Sequence, residues 1–277
     1  MLFRSKKLVQ DAELAGQMGM AVECWSRERA SDSVPALKGA DFEGAVWCPT
    51  DGVVDIHALL TGYLKAAQSL GAQVRYGCAV RGIDVRGDRA IWVVTSAGVI
   101  NAETLVNAAG PWAGTIAKLA GAVQVPLRPC RRHLFVTAPM SWVGRKWPFV
   151  WDVAHEFYFR PESGGLLLCP CDQEEMAPGD PPTDESITEL LYDKIQRYLP
   201  ALSDVAIKNS WAGFRTLSAD SRFVIGWDPK VKGFFWVAGL AGHGVTTSSS
   251  AGALAAKLIL EPLGTGGEEF SPGRFVK

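Results

Sequence analysis

The sequence predicts an α+β protein in which α/β-type units frame a largely antiparallel sheet, and three observations carry that expectation. Ile56, Leu59, Leu60, Tyr63, Leu64 and Ala67 recur at helical spacing behind Asp55, a good N-cap, and ahead of Gly71, a good stop. Residues 125–219 change texture to longer alternating strands, among them RRHLFVTAP, PFVWD, EFYFRPE and GGLLLCPC. The run Phe234 to Ala238 reads as a buried strand, followed by a loop with glycines at 239, 242 and 244 and then a helix of small residues. Helix-bearing units at 55–121 and 220–262 thus flank the strand-rich block.

The remaining elements follow from local chemistry. Leu8 to Met20 is helical in pattern, and SDSVPALKGAD reads as a polar, proline-containing connection. A strand is expected over AQVRYGCAV, then hairpin strands from Arg81 to Ile100 with turns at Arg86–Asp88 and Ala97–Gly98. TLVNAAGPWAG is a strand of shrinking side chains that ends at Gly110-Pro111 and feeds a short helix to Gly121. Ser186 and Glu189 form a capping box for a helix lined by Ile187, Leu190, Leu191, Ile195, Tyr198 and Leu199, and Pro200 ends it.

Composition narrows the function classes. The 277 residues are 48% hydrophobic and 21% charged with a net charge of −1, so nothing points to nucleic acid or an anionic membrane surface. The six cysteines form no CxxC pair and the four histidines are scattered, which argues against a zinc site. A reduced, cytoplasmic setting is expected, with no apolar signal core in MLFRSKKLVQD and no membrane-length run. Cys169 and Cys171, two apart in an expected strand, should share one face.

Arg215, in SWAGFRTLSAD, is the first candidate for chemistry. A guanidinium among aromatic and small residues needs an anion, and its planar fork fits a substrate carboxylate. A structural ion pair to Asp220 or Asp152 is the competing reading. Arg128, Arg131 and Arg132 enter a strand where alternation allows at most one of the last two to point inward, and a solvated edge is expected for each. Tyr158 alternates with Phe157 and Phe159, so it should point to the opposite face, as core or as a substrate-facing phenol. His57 and Lys65 are expected to face solvent.

Taken together, GAVWCPTDGVVDIHALLTGYLKAA, TLVNAAGPWAG, HEFYFRPE, SWAGFRTLSADSRFVIG and GLAGHGVTTSSSAGALAAKLI resemble the FAD-dependent D-amino-acid, glycine and sarcosine oxidoreductase family, most closely its D-arginine dehydrogenase type. The resemblance implies a glutathione-reductase-type FAD-binding layer (54–122 and 220–263) interleaved with an antiparallel-sheet substrate domain (1–53 and 123–219). It implies hydride transfer from a C–N bond to flavin N5, with Arg132 and Arg215 on the substrate carboxylate and Tyr158 beside them. Val80, Ala109, Gly110 and Trp112 would lie against the adenosine end of FAD. Gly239, Gly242, His243, Gly244, Val245 and Thr246 would flank the flavin ring. The family's GxGxxG pyrophosphate turn is absent from these residues, so the sequence reads as an N-terminally truncated member. Two expectations follow: a partner chain supplies the missing unit, or the chain is a flavin-free remnant that binds a carboxylate ligand or a partner subunit without catalysis.

Overall fold

Alternating apolar side chains between Leu127 and Cys169 build a long antiparallel sheet in a computed structural model, which describes residues 2–3, 6–261 and 266–276. In chain order the first elements are β1 (Leu2–Phe3), α1 (Lys6–Gln17), β2 (Glu23–Ser26), α2 (Arg27–Ser33), β3 (Gly44–Trp47) and α3 (Ile56–Ser69). Then come β4 (Val80–Arg86), β5 (Arg89–Thr95), β6 (Gly98–Asn101), β7 (Leu105–Asn107), α4 (Ala113–Ala120) and β8 (Leu127–Thr137). The rest are β9 (Val150–Asp152), β10 (Phe157–Glu162), β11 (Gly165–Cys169), β12 (Glu174–Glu175), α5 (Glu185–Tyr198), β13 (Ile207–Ser218), β14 (Val224–Trp227), β15 (Phe234–Ala238) and α6 (Ser248–Leu260). Two units divide the chain, one of residues 1–54, 132–173 and 180–213, the other of 55–131, 174–179 and 214–277. Residues 262–263, the end of the segment expected to hold FAD, lie outside the described residues.

In the first unit the strand order runs β8-β11-β10-β9-β1-β3-β2, antiparallel throughout except where β1 pairs with β9. Phe157 and Phe159 point into a core shared with Phe135, Leu166 and Leu168, and α5 adds Leu191 and Ile195 to it. The polar connection expected at 31–41 belongs to that core. Ala30, Val34, Ala36, Leu37, Ala40 and Phe42 are buried there, on α2 and a short 3-10 turn at Pro35–Leu37. Its polar Asp32 and Ser33 lie on the outer face of the seven-residue α2, a stretch too short to show a period.

In the second unit β4, β5 and β6 form a meander, and β15 is sandwiched between antiparallel β14 and parallel β7. Phe234 and Trp236 face one cluster with Ala113, Ala117 and Val224, while Phe235 faces another with Ile225, Ala251 and Ala255. Asp228 joins distant turns, accepting hydrogen bonds from the Val123 N–H at 3.0 Å and the Trp236 indole at 2.9 Å. Asp55 caps α3 through the Ala58 N–H at 2.9 Å, and Gly71 ends it at φ +96°. Yet no residue of α3 is buried.

Three local expectations are corrected. Residues 72–79 are turn and coil, because no strand pairs with them among the described residues. The cap of α5 is Asp184, whose carboxylate accepts from the Ser186 N–H at 3.0 Å, rather than Ser186. The β11 strand ends at Cys169, and Cys171 sits beyond it at φ +56°, so strand alternation does not set its direction.

Candidate functional site

Arg215 lies on β13 in the second unit, half-buried, and no carboxylate pairs with it among the described residues. Both carboxylates considered as its partners are engaged elsewhere. Asp220 holds Arg274 through contacts of 2.7 and 3.1 Å, and those guanidinium hydrogen bonds keep its carboxyl well below the usual carboxylate range. Asp152 accepts from His155 at 2.7 Å. The guanidinium instead packs on the glycine loop. A Cβ built at Gly242 would lie 3.1 Å from its Nη1 and 3.2 Å from Cζ, so Gly242 gives Arg215 its place. Ala241, at φ +49°, secures the loop by donating its N–H to the Thr216 carbonyl at 3.0 Å.

The rest of the loop is largely exposed. Gly239 is buried at φ +67° against Val224, Leu127 and Ser218, so it turns the chain out of β15. Gly242, His243, Val245 and Thr246 are exposed and Gly244 is half-exposed. The Thr246, Thr247 and Ser248 hydroxyls bond back to the carbonyls of His243 and Val245, and Thr247 makes no side-chain cap to α6. The first N–H groups of that 13-residue helix are thus left without a side-chain cap, at the positive end of its dipole.

A second surface of the same unit is built by Asn107. This buried side chain donates to the Ala113 carbonyl at 2.9 Å and accepts from the Ala109 N–H at 3.4 Å, bending the chain after β7. Gly110 follows at φ +52°, and Trp112 and Val80 remain exposed. Asn107 was not singled out in the sequence, although an asparagine before Ala-Ala-Gly-Pro is a turn signal.

Along β8 a different set comes together. The expectation that Arg131 and Arg132 lie on a solvated edge is corrected, since both are buried while Arg128 is exposed. The segment after β11 runs back along β8 and covers both: Glu174 forms an ion pair with Arg131, and Gln173 accepts from Arg132 at 3.3 Å. The Nε of Arg132 is buried with no hydrogen-bond partner. His133, also missed by the sequence reading, is fully buried and holds that segment. It shares 2.7 Å with Asp172 through Nδ1 and accepts the Asp184 N–H through Nε2 at 3.1 Å, a network that puts its proton on Nδ1.

Tyr158 is half-buried, points away from Phe157 and Phe159, and packs on Phe149 with 5.1 Å between ring centres. Across the strand pair it stands opposite Cys169. Burial alone pushes the Cys169 thiol up. Hydrogen bonds from the Cys171 and Tyr158 side chains, the Cys171 backbone and the nearby Arg132 charge outweigh it and bring the thiol down to about 6. Arg132 and Tyr158 are thus both neighbours of the Cys169 sulfur.

Residues 2–258 match the family described as FAD dependent oxidoreductase, known as DAO. The chain belongs to this family. FAD is the family's cofactor, and the fold is that of its flavoenzymes. The hydrogen cyanide synthase subunit HcnC of Pseudomonas aeruginosa is 29% identical over 239 residues, which are 85% of this chain and 55% of that protein. Human mitochondrial dimethylglycine dehydrogenase is 28% identical over 252 residues, 84% of this chain and 29% of that protein. The chain thus spans about half or less of these relatives' length. Among solved structures, L-proline dehydrogenase from P. horikoshii matches with a TM-score of 0.87 at 24% identity, covering 99% of this chain and 75% of that one. Iminodiacetate oxidase from Chelativorans sp. BNC1 matches with a TM-score of 0.78 at 26% identity, covering 96% and 70%.

The second unit fits part of an FAD molecule. The largely exposed Gly242–Thr246 backbone beside Arg215 and the uncapped start of α6 suit an electron-rich ring edge. Val80, Gly110 and Trp112 are exposed and Ala109 is half-buried, each open to a flat ligand such as adenosine. The glycine-rich turn for the pyrophosphate is absent from the 277 residues. Among the described residues, no helix is long and apolar enough to cross a membrane.

Proposed function

We propose that this chain is the carboxylate-gripping and flavin-flanking part of an FAD-dependent oxidoreductase that oxidises the C–N bond of an amino acid or secondary amine. The observation that carries this reading is Arg215, half-buried against the Gly242 backbone with no carboxylate of its own among the described residues. A guanidinium in that state has its charge available for an anionic ligand, and its planar fork matches a carboxylate. In this reading the second unit holds FAD and, through Arg215, the substrate carboxylate. FAD, when bound, supplies the two-electron acceptor. The chain's own residues orient: Arg215 fixes the carboxylate, and the carboxylate in turn fixes the Cα–H bond that is to break. The Gly242–Thr246 backbone and the start of α6 would favour negative charge on the ring edge beside them. D-Amino acids are the first substrates to test.

The pyrophosphate grip is proposed to come from polypeptide outside these 277 residues, with a partner chain as one source. Support comes from α3, whose apolar face is exposed at Ile56 (58%), Leu60 (56%) and Tyr63 (50%), and from β7, an edge strand paired in parallel. A cytoplasmic setting fits cysteines that carry no disulfide among the described residues.

The test is optical. Chain purified with added FAD, alone and with a GxGxxG-bearing segment of a family relative, should turn yellow in at least the second case. It should then bleach without oxygen on adding a D-amino acid or an N-methyl amino acid. Protein that stays colourless in both cases contradicts the flavin reading. Carboxylate binding that survives in such colourless protein favours the flavin-free remnant, the reading suggested by the missing turn.

A further inference from the structure

The Cys169-Pro170-Cys171 turn of the first unit has features that the proposed amine oxidation does not use. The two cysteines are in contact: the Cys171 N–H donates to the Cys169 sulfur at 3.4 Å, and the Cys171 side chain also bonds to it. The turn is clamped from both ends. Lys194, on α5, donates to the Pro170 carbonyl at 2.7 Å and to the carbonyls of His155 and Glu156 at 2.9 and 3.0 Å. One residue further on, Asp172 is fixed by the His133 ring and N–H at 2.7 and 3.0 Å. Exposure is unequal, with Cys169 wholly buried and Cys171 half-exposed. Cys171 also holds a left-handed backbone at φ +56°, which turns the chain back at the end of β11.

We propose that Cys169 and Cys171 are a peroxide-responsive thiol pair that closes to a reversible disulfide beside Arg132 and Tyr158. Peroxide reaches the half-exposed Cys171 first. Its sulfur attacks one peroxide oxygen, the O–O bond breaks, and the products are a Cys171 sulfenic acid and water. The Cys169 sulfur then attacks the Cys171 sulfur. The S–O bond breaks, the S–S bond forms, and the departing hydroxide takes up a proton from solvent, equal to the one Cys169 released on ionising, as a second water. Two thiols have lost two electrons, and one peroxide has gained them. The low thiol value at Cys169 supplies the attacking thiolate at neutral pH. Closure removes the sulfur anion next to Arg132 and the acceptor of Tyr158, so the thiol state sets the charge around that arginine.

This inference does not depend on the amine-oxidation reading, because it is read on the thiols of the full chain. Purified protein is titrated with hydrogen peroxide, then alkylated, digested and mapped by mass spectrometry. The expected result is an internal disulfide in the 169–171 peptide, with the loss of two hydrogens, which dithiothreitol reverses. It should appear at lower peroxide than any oxidation of the exposed Cys24. In Cys169→Ser, Cys171 should persist as a sulfenic acid trapped by dimedone, whereas the wild type should show little trapping. Oxidation of Cys24 before the pair, or a sulfenic acid that persists on wild-type Cys171, overturns the proposal. The wild-type map alone decides the matter if the variant does not fold.

Discussion

Two helices of equal length behave in opposite ways. Both α3 and α5 have fourteen residues, an apolar stripe and an aspartate N-cap. Yet α5 sinks Leu191 and Ile195 fully into the core of its unit, while α3 buries nothing and leaves Ile56, Leu60 and Tyr63 more than half or half exposed. Amphipathic spacing tells which face of a helix is apolar. It does not tell whether the chain that carries the helix also supplies the cover. In the first unit the apolar stripe of α5 meets the core of its own unit. In the second, the stripe of α3 is left exposed, and the GxGxxG pyrophosphate turn is absent from the same 277 residues.

The contrast can be broken by mutation. Leu191→Ala should cost roughly 2–5 kcal/mol of stability in a urea titration, as for a filled core position. A cost below about 1 kcal/mol would mean the α5 side of the comparison is wrong. Next in size is Arg274→Ala, in the second unit. Arg274 holds Asp220 and also donates to the carbonyls of Phe270, Ser271, Arg222 and Phe223, so its loss should cost about 1–3 kcal/mol. The sign of its pH dependence follows from Asp220, whose folded carboxyl is held below the unfolded value of about 4. That stabilisation is complete above about pH 5 and fades as pH falls through the folded value, so wild type should resist acid better than the variant. Equal acid-unfolding curves would exclude the pairing. Smallest is Leu60→Ala, expected to change stability by no more than about 0.5 kcal/mol because the side chain is already in water. A large loss would show that α3 is covered after all.

Local signals were legible in the sequence. The Asp55 cap, the Gly71 stop, the hairpins after Arg81 and the buried strand Phe234–Ala238 each rest on a few adjacent residues. The family was readable because several such pieces occur in order. What stayed hidden depends on residues far apart in the chain. Arg131 and Arg132 are both covered only because the segment after β11 returns along β8, which alternation within one strand does not reveal. The short α2 carries too few turns to show a period. Asp220 stood as a partner for Arg215 until Arg274, 54 residues later, was seen to hold it.

The most direct test of the functional reading is calorimetric titration of wild type and Arg215→Ala with amino-acid carboxylates, both variants first shown to be folded. The guanidinium has no internal carboxylate to lose, so stability should hold while carboxylate binding weakens at least about tenfold, or about 1.4 kcal/mol. Equal binding by the two proteins, or a large loss of stability in the variant, would contradict the assignment of Arg215 as the carboxylate grip.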